Sequence, residues 1–138
     1  MPYREHRLTR RVLFHEVDLA RIVHFSTYFR YMEEAEHALW RAAGMSVAPR
    51  DRNVGFPRVA AACEYLAPLR FEDEFEVHVR VEALSRRSIR YAHVISRGET
   101  TVATGTITTV CVVQDADGSM RAVAIPDDIV AGLRGPGD

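Results

Sequence analysis

Glu16-Val17-Asp18-Leu19-Ala20-Arg21-Ile22-Val23-His24-Phe25-Ser26-Thr27-Tyr28 joins the apolar run Val12-Leu13-Phe14 to the start of an amphipathic helix. The pattern predicts a strand from about Arg7 to His15, a turn carrying Asp18, and a helix from about Ser26 to Ala43 that Gly44 stops. Tyr28, Tyr31, Met32, Ala35, Leu39 and Ala42 recur at helical spacing and form one apolar stripe, with Arg30, Glu33, His37 and Arg41 on the other side. Ala35, Ala38, Ala42 and Ala43 keep this helix slim, as suits one packed closely on a sheet. A carboxylate at the end of a strand, facing the first free amides of a helix, can do two jobs at one carbonyl. The amides polarise the oxygen while the carboxylate attacks the carbon or activates a water. Aspartate also ends strands and closes turns for purely local reasons. The stretch by itself leaves both readings open.

Outward from the helix, Met45 to Phe56 carries Pro49, Asp51, Asn53 and Gly55 and reads as a loop. The remainder reads as β. A strand from Val59 to Leu66 ends before Pro68. Phe75, Val77, Val79, Val81 and Ala83 then alternate with Glu74, Glu76, His78, Arg80 and Glu82, a half-buried strand. Ser85-Arg86-Arg87 turns into a strand from Ser88 to Ser96, and Arg97-Gly98-Glu99 turns again. Thr100 to Val113 reads as one long strand, with Gly105 as the place for a bulge or bend. Asp115-Ala116-Asp117-Gly118 leads into a last short strand through Ile125, and Asp127 to Leu133 allows a helical turn or two. Strand, long helix, then four or five antiparallel strands make an α+β fold, one long helix packed on a curved antiparallel β-sheet.

The chain has 138 residues and a formal net charge of −1, which predicts a single domain spanning residues 1–138 with one substantial core. The basic residues are scattered, so no nucleic-acid footprint is expected. Met1-Pro2-Tyr3-Arg4-Glu5-His6-Arg7 has no apolar segment after its charges and is not expected to act as a signal peptide. No apolar run reaches membrane-spanning length. Cys63 and Cys111 sit in alternating apolar segments without metal-ligand spacing, and are expected to be reduced core residues of a cytoplasmic protein.

In this order the residues resemble the hot-dog fold and, within it, the 4-hydroxybenzoyl-CoA thioesterase-like family of acyl-CoA thioesterases. The resemblance covers nearly the whole chain. It rests on the Glu16–Tyr28 stretch, on Tyr65-Leu66-Ala67-Pro68-Leu69-Arg70-Phe71-Glu72-Asp73-Glu74, on Ser85-Arg86-Arg87-Ser88 and on Ala103-Thr104-Gly105. The family's catalytic aspartate falls on Asp18, and its carbonyl-polarising backbone amide falls on Phe25. The family usually has Asp where Glu16 stands, Gly where Arg21 stands and Asn where Thr27 stands. Many relatives carry His at the position of Phe25, whereas this chain has His24 one residue earlier. Arg21 therefore has two readings: it strains a turn that needs positive φ, or the backbone is ordinary and the side chain offers a cation to an anionic substrate.

The resemblance implies hydrolysis of an acyl- or aroyl-CoA thioester to free acid and CoA, with Asp18 as nucleophile or general base. His24 either orients the carbonyl and tunes Asp18 or is bonded to backbone at the helix start. Thr27 and Tyr28 lie by the pocket, Tyr28 chiefly as core, and Phe25 packs its ring in the core while its amide points elsewhere. Arg86, Arg87 and Ser88 either bind the CoA phosphates or form a solvated turn. Glu33 and Glu34 read as a solvated or interface face. No metal or redox cofactor is expected. The expected assembly is a homodimer pairing its sheets edge to edge, with sites at the interface, or a homotetramer of two such dimers. The alternatives are a hot-dog hydratase or dehydratase on acyl thioesters, and a non-catalytic acyl-CoA-binding module.

Overall fold

Alternation in the segment around Phe75 has a direct structural result. Phe75, Val77, Val79 and Val81 are all buried on one face of β3 (Glu74–Leu84), while their neighbours reach the other face. The structure is a computed structural model that describes residues 3–135. Around β3 it assembles β1 (Glu5–Arg11), β2 (Arg58–Tyr65), β4 (Ser88–Arg97) and β5 (Thr100–Val110) into an antiparallel sheet ordered β1-β3-β4-β5-β2. A helix, α1 (Thr27–Ala42), lies against this sheet through Tyr28, Tyr31, Met32, Ala35, Leu39 and Trp40. Each large side chain fully buried there contributes roughly 1.5–3 kcal/mol. This is the hot-dog arrangement, one long helix against an antiparallel sheet. A separate two-stranded ribbon, β6 (Val112–Gln114) with β7 (Met120–Ala122), and a short α2 (Asp127–Leu133) complete the chain.

Several expectations shift in detail. The first strand ends at Arg11 rather than His15, because Phe14–Glu16 form a 3-10 turn. The Glu16 carboxylate accepts the Leu13 N–H at 2.8 Å, so the backbone cannot continue as strand. The long strand stops at Val110: Cys111 donates its N–H to Arg87 O, and Val112 then pairs with β7. Gly105 carries no bulge, and its register with Cys63 and His93 is continuous. Its glycine has another cause: a Cβ there would stand 2.3 Å from Met32 Cε. The register shifts fall instead at Arg58/Ala60, Val81/Ala83 and Ile95/Ser96. Ala42 is exposed rather than part of the buried stripe, and Cys63 is half-buried on edge strand β2 rather than in the core. Gly44 does stop α1, at φ +76°.

The two ends of the sheet have different tenants. The end of β1, the start of β3, the end of β4 and the end of β2 meet at one end. There Val12 N–H reaches Asp73 O, Arg97 reaches Pro68 O, and Tyr65 reaches Phe25. The β3–β4 turn at Ser85-Arg86-Arg87 lies at the other end, against Cys111 and Ile125. β3 has 11 residues, roughly 36 Å of strand, between them.

Candidate active site

After the 3-10 turn the chain doubles back on itself. Asp18 N–H donates to Ile22 O at 2.9 Å, Arg21 N–H donates to Asp18 O at 2.9 Å, Val17 bridges to Val23, and His24 N–H donates to Glu16 O at 2.9 Å. A tight reversal of this kind ends in a left-handed residue. That residue is Arg21, at φ +68°. Of the two readings of Arg21, the strained turn is therefore the one the backbone adopts. Its side chain is exposed and forms no ion pair among the described residues.

Asp18 is half-buried. Its Oδ1 accepts the Ala20 N–H at 2.8 Å, which fixes the carboxylate in the turn. Oδ2 has no hydrogen-bond partner among the described residues, which leaves this oxygen uncommitted on a half-buried side chain. Val23 N–H donates to Leu69 O at 2.8 Å and ties this reversal to the loop before β3. The Phe25 N–H likewise has no hydrogen-bond acceptor among the described residues, and it lies two residues before the first residue of α1, with Ser26 as the helix cap between. The Phe25 ring is 63% exposed, so it does not pack into the core; it stacks on His24 with ring centroids 4.7 Å apart. Phe25 O accepts the Tyr65 hydroxyl at 2.8 Å, which ties this corner to the end of β2.

His24 is exposed. Its Nδ1 accepts from the Ser26 backbone N–H at 3.3 Å and lies 2.8 Å from Ser26 Oγ. Thr27 is half-buried and its N–H donates to His24 O at 2.9 Å. Tyr28 is buried, its ring edge-on to Tyr65, and burial pushes its phenol up. Beside α1 a groove of about 400 Å³ begins at Ser26 and runs past Phe29, Arg30 and Glu33 to Arg58 and Ala61.

The Arg86-Arg87-Ser88 turn is not brought to Asp18 within the protomer, because it belongs to the opposite end of the sheet. Arg86 and Arg87 are exposed and have no ion-pair partner among the described residues, and Ser88 Oγ bonds Ser85 Oγ at 2.5 Å. Glu33 pairs with Arg58 at 3.2 Å and Glu34 pairs with Arg10, so both glutamates sit in ion pairs. No three His, Cys, Asp or Glu side chains are grouped as a metal ion requires, among the described residues.

Sequence reasoning missed two buried polar clusters. Glu36 of α1 meets His93 of β4 at 2.8 Å and Arg58 of β2 at 2.7 Å, both acid and imidazole being sealed from solvent. The signal was available. Glu36 lies four residues from Met32 and from Trp40, which share its helix face, and His93 alternates with buried Tyr91 and Ile95. The second cluster centres on Glu16, 7% exposed, which bonds Leu13 N–H, Tyr31 O–H and Arg10.

Residues 12–133 match the profile of a protein family described as the thioesterase-like superfamily. A curated protein of Aquifex aeolicus (strain VF5), which carries a provisional esterase name, is 36% identical over 91% of this chain and 94% of its own length. The structure of a gentisyl-coenzyme A thioesterase is similar at a TM-score of 0.83 and 26% identity, over 93% of this chain and 99% of that one. The 4-hydroxybenzoyl-CoA thioesterase of Pseudomonas sp. strain CBS-3 shares the fold at a TM-score of 0.84 and 21% identity, over 94% of this chain and 99% of its own.

Proposed function

The chain belongs to the thioesterase-like superfamily, and from that premise we propose that it hydrolyses an acyl- or aroyl-CoA thioester to free acid and CoA at Asp18. The observation that carries this reading is the reversal itself. It holds one oxygen of Asp18 on Ala20 and leaves the other open, and it delivers an unengaged Phe25 amide just before α1. A similar protein whose name specifies gentisyl-CoA supports an aroyl group among the substrates.

Two routes use the same groups. As a general base, Asp18 takes a proton from water as the water oxygen bonds to the thioester carbon. The carbonyl electrons move onto oxygen, which the Phe25 N–H receives. Collapse of this intermediate breaks the C–S bond, and CoA thiolate leaves to be protonated. As a nucleophile, the Asp18 oxygen bonds to the carbon and expels CoA thiolate, giving a mixed anhydride that water opens to the acid and free Asp18. In either route one amide donor aimed at the developing oxyanion is worth about 3 kcal/mol of barrier.

The proposed assembly is a homo-oligomer, a homodimer paired along β2 or a homotetramer of such dimers. Its support is surface chemistry. β2 is an edge strand, exposed over nearly its whole length, with exposed Val59, Tyr65 and Leu66 along it and the exposed Phe25 ring next to it. A second copy covering that edge also excludes water from a site that is open in the protomer. Arg86 and Arg87 contact the CoA phosphates in this reading, and their guanidinium groups, without an ion-pair partner among the described residues, support it.

The deciding experiment is a panel of short, medium, long and aromatic acyl-CoAs with free-thiol detection, plus product analysis on 2-enoyl-CoAs. Stoichiometric CoA release is expected. Binding without thiol release would identify an acyl-CoA-binding module. Hydration of enoyl substrates without release would identify a hydratase, a reading that the sealed His93–Glu36 pair does not favour because substrate cannot reach it.

A further inference from the structure

We infer that Glu16 is the positioning residue of the site, fixing the Asp18 carboxylate and the Phe25 amide relative to one another. The inference rests on the proposed role of Asp18 and adds to it a residue that touches neither substrate nor reacting atoms. The backbone of Glu16 begins the short ladder that ends at Asp18. Its carbonyl accepts His24 N–H at 2.9 Å, and the next residue presents the Phe25 amide. Whatever displaces Glu16 therefore moves both halves of the site.

Its side chain is anchored from three directions. Oε1 accepts Leu13 N–H and Tyr31 O–H, each at 2.8 Å, and Oε2 accepts an Arg10 N–H at 2.8 Å. Leu13 belongs to the entry turn, Tyr31 to α1 and Arg10 to β1, so one carboxylate joins turn, helix and sheet. Arg10 is itself held by Glu34, and its guanidinium lies 5.1 Å from the centre of the Tyr31 ring. Burial opposes the Glu16 charge, but the Leu13, Tyr31 and Arg10 bonds outweigh it and hold the carboxyl below its usual range. Burial and the adjacent Glu16 carboxylate push the Tyr31 phenol well above the usual range, so Tyr31 stays a neutral donor. A buried group with this many charge-assisted bonds has one low-energy geometry.

Geometry of this kind acts on the chemical step. Misplacing a catalytic group by about 1 Å costs up to about 10²-fold in rate. Removal of a residue that acts only on transition-state geometry lowers kcat and leaves KM in place. Glu16→Gln preserves size while placing an amide where Arg10 needs an anion. We expect kcat to fall about 10- to 100-fold with KM within about twofold. Tyr31→Phe removes a single donor, leaves the ring in the core, and should lower kcat in the same direction by less. Because both act through one carboxylate, the double variant should lose less than the product of the single losses. Glu36→Gln is the control: it disturbs an equally buried ion pair and should lower Tm without changing kcat at a temperature where all variants are folded. If Glu16→Gln is folded and turns over at the wild-type rate, or if Glu36→Gln loses kcat to the same extent, the inference is overturned. If Glu16→Gln does not fold, Tyr31→Phe decides: unchanged kcat overturns it, a KM-neutral loss supports it. Failure of the Asp18 reading looks different, because Asp18→Asn would then be fully active.

Discussion

At the residue scale the turn after β1 holds the most testable chemistry. Arg21 occupies a left-handed conformation, at φ +68°, which costs a side chain about 1 kcal/mol that glycine avoids. Arg21→Gly is expected to raise Tm by about 3–5 °C for a chain of this size, whereas Arg21→Ala keeps the strain and gives no gain. If the guanidinium also serves the anionic substrate, both variants raise KM together, so thermal melts and kinetics on the pair separate strain from charge. Glu16 makes a pH prediction. Its folded-state pKa lies below the ordinary value of 4.5, so ionised Glu16 stabilises the fold above that value and the contribution is lost as pH falls through the lower, folded value. Urea midpoints measured from pH 7 downward should therefore decline more steeply for wild type than for Glu16→Gln below about pH 4.5. Parallel curves would contradict this.

At the element scale, the close contact of α1 with β5 passes through one glycine. Gly105→Ala brings a methyl to 2.3 Å from Met32 Cε and 2.9 Å from Ala62 O, and the second neighbour is backbone that cannot yield. Overpacking of this kind costs about 1–3 kcal/mol, a fall in Tm that a thermal melt will detect; an unchanged Tm would show that Met32 has room to repack. Gly105 also shows where sequence reading ran short. A glycine inside a strand marks either a bulge or a close approach, and only the partner across the interface, Met32, tells which. The periodic elements were legible because burial enforces their period: Tyr28, Tyr31, Met32, Ala35 and Leu39 in α1, and Phe75 to Val81 in β3. The end of β1 was not, because it is decided by one side chain, Glu16, reaching back to Leu13 N–H. The Asp18 turn was legible as a turn, and its left-handed step was legible only as a conditional on Arg21. The periods of α1 and β4 carried the burial of Glu36 and His93, but their pairing with each other and with Arg58 joins three elements distant in sequence and has no local signal.

At the scale of the whole molecule, the distance between Asp18 and the Arg86–Arg87 turn becomes informative. They lie at opposite ends of the sheet, with the 11 residues of β3, roughly 36 Å of strand, between the two ends. A two-fold pairing of antiparallel β2 edges reverses the second sheet, setting its Arg58 end beside the first protomer's Tyr65 end. On the proposed dimer, the arginines proposed to bind the CoA phosphates of each site then come from the other copy. Mixing Asp18→Asn protomers with Arg86→Ala/Arg87→Ala protomers should therefore regenerate, in the mixed dimers, one site with normal KM. Failure to recover any low-KM activity would place both groups in one protomer's site and return the arginines to a solvated turn. Sedimentation at micromolar concentration checks the premise, with a dimer or tetramer expected.

The chemical role of Asp18 is tested most directly by the kcat of Asp18→Asn for CoA release on the best substrate of the panel. Asparagine keeps the size and can keep the Ala20 bond through its carbonyl oxygen, while the charge is removed. With folding checked by circular dichroism and thermal melting, the expected loss is at least about 10²-fold in kcat. Near-wild-type turnover in the folded variant would contradict that role.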